Sequence, residues 1–294
     1  MTSITHGVFP PIPTPMDSNG EIDYEGLEDV IRHVEAGGVD GIVPCGTTGE
    51  RSTLRPEEHR RVIETAVEMA STPVIAGTGS PSTWETIELT RHAQAVGADG
   101  ALVIGPYYTG PSESDLVDHY REVADAVDIP ILIYNFPGGM GFNITPSVVE
   151  AVADHPNIEG IKDSSGEIDQ ISELCRRTRD ADFDVLSGWD SLVLPAVSLG
   201  AVGLIGICAN VFPERSGDLL TAAKEGDTAN ARELHDALTA LETELVAEKP
   251  PITIKQALAE MGVCEPHVRA PHSTTDDAGV TRIQEAMTDF RNAL

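Results

Sequence analysis

Lys162 is the residue whose chemistry most needs an account. It closes the apolar run Ile158-Glu159-Gly160-Ile161-Lys162. In a barrel strand its flanking alternation aims it at the interior, where an isolated ammonium is costly to desolvate. Desolvation lowers a lysine pKa, and the neutral amine is the form that attacks a carbonyl. Tyr134 lies one strand earlier in the chain. Adjacent parallel strands are ~4.8 Å apart, so both side chains could reach one small substrate. A phenol there can relay a proton to and from a carbinolamine and an imine. The turn Gly46-Thr47-Thr48-Gly49-Glu50 offers backbone N–H groups and two hydroxyls, which suits a carboxylate. Pro106-Tyr107-Tyr108 and Gly188-Trp189-Asp190-Ser191 are further polar features at strand ends. Asp190 there reads either as a set of acceptors for substrate hydroxyls or as a helix N-cap.

These features need a scaffold that collects strand ends. Short apolar runs bounded by Gly, Pro or Asp recur, with amphipathic helical patterns between them. Eight candidate strands follow: Val8–Pro13, Gly41–Gly46, Val74–Thr78, Ala101–Pro106, Ile131–Asn135, Glu159–Asp163, Asp184–Gly188 and Gly203–Ile207. Most starts are separated by roughly 26 to 33 residues, the size of one β/α unit. Asp23 precedes a helical pattern closed by Gly37-Gly38, and Thr145-Pro146 reads as an N-cap followed by proline at the first helical position. The junctions beginning at Ala36, Val96 and Gly200 resemble one another, as repeated units would. The expected class is α/β, an eight-fold β/α (TIM) barrel over residues 1–210, whose site lies at the C-terminal strand ends. Residues 211–294 read as a helical extension packed on the barrel, with helices at Phe212–Lys224, Ala229–Ala247, Ile252–Met261 and Val280–Phe290.

Composition removes several function classes. The chain has 48 acids against 19 Lys and Arg, a net charge of −29, which repels nucleic acid and anionic membrane. No run of 18 apolar residues suggests a membrane span, and Met1 to Pro15 lacks a basic head and an apolar signal core, so a cytoplasmic protein is expected. The scattered Cys45, Cys175, Cys208 and Cys264 form no Cys-x-x-Cys pair, so neither a disulfide framework nor a zinc site is expected. The acids are spread along the chain, as in a protein adapted to high salt. Lysine occurs only at 162, 224, 249 and 255, and that scarcity makes a lysine within an apolar strand harder to dismiss.

In order and spacing, the Gly46–Glu50 turn, Pro106-Tyr107-Tyr108, Tyr134-Asn135-Phe136-Pro137 and Lys162-Asp163-Ser164-Ser165-Gly166 together resemble the dihydrodipicolinate synthase and N-acetylneuraminate lyase superfamily. The resemblance covers nearly the whole chain. It implies a homotetramer with no metal or organic cofactor, in which Lys162 forms a Schiff base with pyruvate or the pyruvate half of a substrate. It also implies that Tyr134 is the general acid/base, that Thr47 joins it in a hydroxyl relay, and that Thr47 and Thr48 hold the keto-acid carboxylate. Tyr108 matches a tyrosine that reaches into a neighbouring subunit's site. Ile205 matches a residue whose backbone faces pyruvate.

Synthases of that superfamily usually carry an arginine five residues after the catalytic tyrosine, and this chain has Gly139. Lys-Asp-Ser-Ser-Gly looks more like its sugar-acid aldolases. No lysine or arginine follows Tyr108 until Arg121, so the non-phosphorylated substrate is favoured over its phosphate. The expected activity is therefore class I aldol cleavage of a 2-keto-3-deoxy sugar acid, such as 2-keto-3-deoxygluconate or -galactonate, to pyruvate and an aldehyde. The alternative is 4-hydroxy-tetrahydrodipicolinate synthesis from pyruvate and aspartate semialdehyde. Catalysis is expected from Lys162, Tyr134, Thr47 and Tyr108. Substrate contacts are expected from Thr48, Ile205, Gly46, Tyr107, Asp190 and Gly188.

Overall fold

The computed structural model describes residues 4–293. Six parallel strands form one sheet in chain order: β1 (Ile75–Gly77), β2 (Gly100–Ile104), β3 (Ile131–Asn135), β4 (Ile158–Asp163), β5 (Asp184–Ser187) and β6 (Gly203–Leu204). Helices α1 (Tyr24–Ala36) and α2 (Pro56–Met69) precede the sheet. Between the strands run α3 (Thr83–Val96), α4 (Glu113–Asp125), α5 (Pro137–Met140), α6 (Pro146–Val152), α7 (Ile168–Arg177) and α8 (Val193–Leu199). After the sheet come α9 (Pro213–Glu225), α10 (Thr228–Leu245), α11 (Pro250–Glu260) and α12 (Asp277–Ala293).

The expected strands Val8–Pro13 and Gly41–Gly46 do not form as regular strands. Single parallel bridges, Val8 to Leu204 and Ile42 to Val74, tie these segments to the two sheet edges. Main-chain bonds from Val43 N to Pro10 O (2.9 Å) and Ile12 N to Val43 O (3.1 Å) join them to each other. Pro10, Pro11, Pro13 and Pro44 have no N–H to donate, so a continuous ladder cannot form there. The other six lie within two or three residues of expectation at each end.

Side-chain alternation sorts the strands into two faces. Ile131, Ile133, Ile161 and Val185 point outward and pack against helices α4, α6 and α7. Leu102, Leu132, Tyr134, Leu186 and Ile205 point the other way and meet Phe9, Val43 and Ile75 in an interior cluster. A third cluster joins Leu27, Ile31 and Ile63 near the start of the chain to Leu219, Leu234, Leu258, Ile283 and Phe290 near its end. The four expected C-terminal helices are present. α1 starts as expected, with the Asp23 carboxylate accepting from Gly26 N at 3.0 Å. Thr145 precedes α6 without capping it, and its hydroxyl donates instead to Glu113 at 2.7 Å.

Candidate active site

The register of β3 and β4 pairs Tyr134 with Lys162. Because alternate residues share a face, Lys162 points inward with Tyr134 while Ile161 points out. The Lys162 Nζ lies 4.3 Å from the centre of the Tyr134 ring. Lys162 is only 5% exposed, and burial draws its pKa from 10.5 to about 7, against the opposing attraction of Asp190. A substantial share of this amine is therefore neutral near pH 7 and able to attack a carbonyl. Burial also raises the Tyr134 phenol, partly offset by hydrogen bonding with Thr47 and Ser164. The Thr47 Oγ1 and Tyr134 hydroxyl lie 3.4 Å apart, at the long end of hydrogen-bonding range.

Room for the lysine depends on Gly188. A Cβ at that position would lie 1.9 Å from Ser164 Oγ and 3.0 Å from Lys162 Cε. The threonine turn is held from behind. Glu50 has left-handed backbone (φ 55°), and its buried carboxylate pairs with the fully buried ammonium of Lys255 on α11. The same carboxylate accepts from Arg269 N at 3.0 Å. The C-terminal segment thereby anchors the turn that carries Thr47 and Thr48.

These groups open into a cleft with two adjoining lobes. The inner lobe, about 420 Å³, is bordered by Thr47, Thr48, Tyr134, Lys162, Ser164 and Gly188. The outer lobe, about 190 Å³, adds Cys45, Arg51 and Tyr107. Gly46, Phe136, Gly139, Lys249 and His272 border both. Of the expected site residues, Lys162, Tyr134, Thr47, Thr48, Gly46, Gly188 and Tyr107 are thus brought together.

Three are not. Tyr108 is 94% exposed with φ 71° and borders neither lobe of its own chain. Ile205 is fully buried in the interior cluster, and its N–H donates to Ser187 O at 2.9 Å. Asp190 corrects the expectation of an acceptor for substrate hydroxyls. It is fully buried, one carboxylate oxygen accepts from Cys208 N at 3.2 Å, and its own N–H donates to Glu242 at 2.8 Å. Burial, then the neighbouring Glu242, raise its pKa. It does not cap a helix through its side chain either. Sequence reasoning also passed over Ser164, which lies just past the end of β4, two residues after Lys162, and borders the same lobe. Lys249 and His272 come from the C-terminal segment, and nothing local in sequence links them to the strands.

The model of the dihydrodipicolinate synthetase family matches residues 4–289. The chain belongs to this family. Members work through a lysine Schiff base with pyruvate and use no metal or organic cofactor. A 4-hydroxy-tetrahydrodipicolinate synthase from Haloarcula marismortui is 42% identical over 289 residues, covering 98% of this chain and 94% of the relative. One from Methanococcoides burtonii is 46% identical over 265 residues, covering 90% and 91%. The crystal structure of dihydrodipicolinate synthase from Aquifex aeolicus superposes with a TM-score of 0.94 at 41% identity, covering 98% and 99%. These relatives overturn the expected sugar-acid cleavage and, with it, the expected sugar keto-acid substrate and place in carbohydrate metabolism. Gly139 had carried that expectation, and relatives similar over nearly the full chain bear the synthase name instead.

Proposed function

We propose that this protein is a 4-hydroxy-tetrahydrodipicolinate synthase that condenses pyruvate with aspartate semialdehyde. The observation that carries the reading is a desolvated lysine facing a buried tyrosine and a threonine turn, in a chain whose full-length relatives bear that name. In this mechanism the neutral Lys162 amine adds to C2 of pyruvate, and the pyruvate carboxylate rests on the Thr47–Thr48 turn. Tyr134, in relay with Thr47, delivers the proton that lets the carbinolamine lose water as the imine forms. Loss of a C3 proton gives an enamine, and its C3 attacks the aldehyde carbon of the second substrate. The second substrate's amine then adds to the imine carbon and displaces Lys162, closing the ring. One water is released in total, and the lysine is regenerated.

The remaining features fit the same reading. The proline-rich segment 8–13 and the segment 41–46 act as the seventh and eighth staves of a closed β/α barrel, bridging β6 to β1. Residues 1–210 and 211–294 behave as one unit, because the largest apolar cluster draws on both. The exposed Tyr108 serves a neighbouring subunit's site in a homotetramer, and Ile205 turns its backbone towards pyruvate. Among the described residues no helix is long and apolar enough to cross a membrane, which accords with a cytoplasmic place. The test is borohydride reduction with pyruvate followed by peptide mass mapping, alongside turnover with both substrates in molar potassium chloride. An adduct on Lys162 together with synthase turnover is expected. Reduction only at Lys224, Lys249 or Lys255 would overturn the chemistry, and absence of condensation would overturn the substrate.

A further inference from the structure

Lys249 stands apart from the other lysines of this acidic chain. Lys255 is paired with Glu50, Lys224 faces Asp40 and Asp184, and Lys162 faces Asp190. The Lys249 side chain is exposed and has no hydrogen-bond or ion-pair partner among the described residues. The two carboxylates that border the inner lobe with it are engaged elsewhere. Glu248 accepts from Thr275 at 2.5 Å and Arg282 at 3.0 Å, and Glu242 accepts from the backbone of Asp190 and Ser191 at 2.8 and 2.9 Å. In a protein of net charge −29, an unpaired ammonium at the rim of an apolar cleft is a directed positive charge.

Its position bears on the second substrate. Aspartate semialdehyde has a carboxylate at the end away from the aldehyde. With the aldehyde carbon against the enamine on Lys162, that carboxylate extends along the cleft, both lobes of which Lys249 borders. Position 139, which also borders both lobes, offers no cation. A Cβ on Gly139 would lie 2.5 Å from Phe136 Cδ1, and that ring stacks parallel to Tyr134 with centroids 6.0 Å apart. The ring excludes a side chain at 139 unless it leaves the catalytic tyrosine. Arg51 borders only the outer lobe and lies 3.9 Å from Glu85. Of the basic residues among the described residues, only Lys249 and His272 border both lobes, and a histidine is charged only when protonated.

We propose that Lys249, at the start of α11, binds the carboxylate of the aldehyde substrate and sets the preference for an anionic aldehyde. The proposal rests on the synthase reading above. Losing a charge-assisted hydrogen bond weakens binding by about tenfold to a hundredfold. Lys249→Gln should therefore raise KM for aspartate semialdehyde by about that factor, with KM for pyruvate moving less than about threefold and kcat falling far less than KM rises. Lys249→Arg should restore most of the affinity. The pyruvate adduct at Lys162 should still form under borohydride in Lys249→Gln. A wild-type enzyme that condenses both substrates while Lys249→Gln keeps its KM for aspartate semialdehyde would overturn the Lys249 assignment alone. Both KM values rising together, with no rescue by arginine, would make Lys249 a structural residue and equally overturn it. A wild-type enzyme that forms the pyruvate adduct and never condenses aspartate semialdehyde would defeat the synthase reading and this proposal with it.

Discussion

Replacing Lys162 by methionine should abolish activity and make the protein more stable. The folded protein releases the Lys162 proton near pH 7, whereas the unfolded chain does so near 10.5. Between those values the unfolded state binds more protons, so stability rises with pH across that window. Below pH 7 the buried ammonium costs about 5 kcal/mol, from the fall from 10.5 to about 7 at about 1.4 kcal/mol for each pH unit. At pH 7.5 the cost is about 4 kcal/mol, and by pH 10.5 it falls below about 1 kcal/mol. Methionine is close in length, carries no charge and suits an apolar interior. Asp190 loses the cation that faces it, so the realised gain should be about 2–4 kcal/mol. For a chain of this size each kcal/mol moves Tm by about 2 °C, which gives a rise of about 4–8 °C at pH 7.5. The assay is a thermal melt of both proteins, free of pyruvate, at fixed molar potassium chloride, from pH 7 to 10.5. Pyruvate must be absent because a covalent ligand would stabilise the wild type alone. A variant that melts at or below the wild type at pH 7.5, or a gap that stays constant to pH 10.5, would refute the argument that this amine is held desolvated. The same ionisation sets the activity profile: kcat/KM for pyruvate should rise through about pH 7 and level off above it.

Two more outcomes follow from the same structure. Tyr134→Phe keeps the ring facing Lys162 and removes only the hydroxyl beside Thr47, so steady-state assays should find pyruvate still bound and turnover lower by ~10²-fold or more; near-normal turnover would reject the proton relay. Moving from molar to ~0.01 M potassium chloride lengthens the Debye length from ~3 Å to ~30 Å and exposes the self-repulsion of a chain carrying −29. Melts should then show a falling Tm, and a Tm independent of salt would reject adaptation to high salt.

The reactive centre was legible in the sequence because strand periodicity is a local property. Alternation aimed Lys162 at the interior, the run around it marked it as desolvated, and Tyr134 one strand earlier was within reach of the same substrate; the strand register then paired the two. The C-terminal helices were legible for the same reason, since an amphipathic period and its caps are written in consecutive residues. The proline-rich first strand was over-read, because an apolar run predicts burial while the ladder depends on which N–H groups exist. Asp190 was misplaced because its position in sequence gives no sign that Glu242, from α10, and Cys208 would close over it. Gly139 was read as a statement about substrate, whereas the fold shows the Phe136 ring filling that space. The acidic composition and the Lys162–Tyr134 pair thus belong to the sequence. The buried Glu50–Lys255 anchor and the meeting of Lys249 with the cleft join residues about a hundred or more positions apart in the chain, and only the closure of long loops in the folded state brings such residues together.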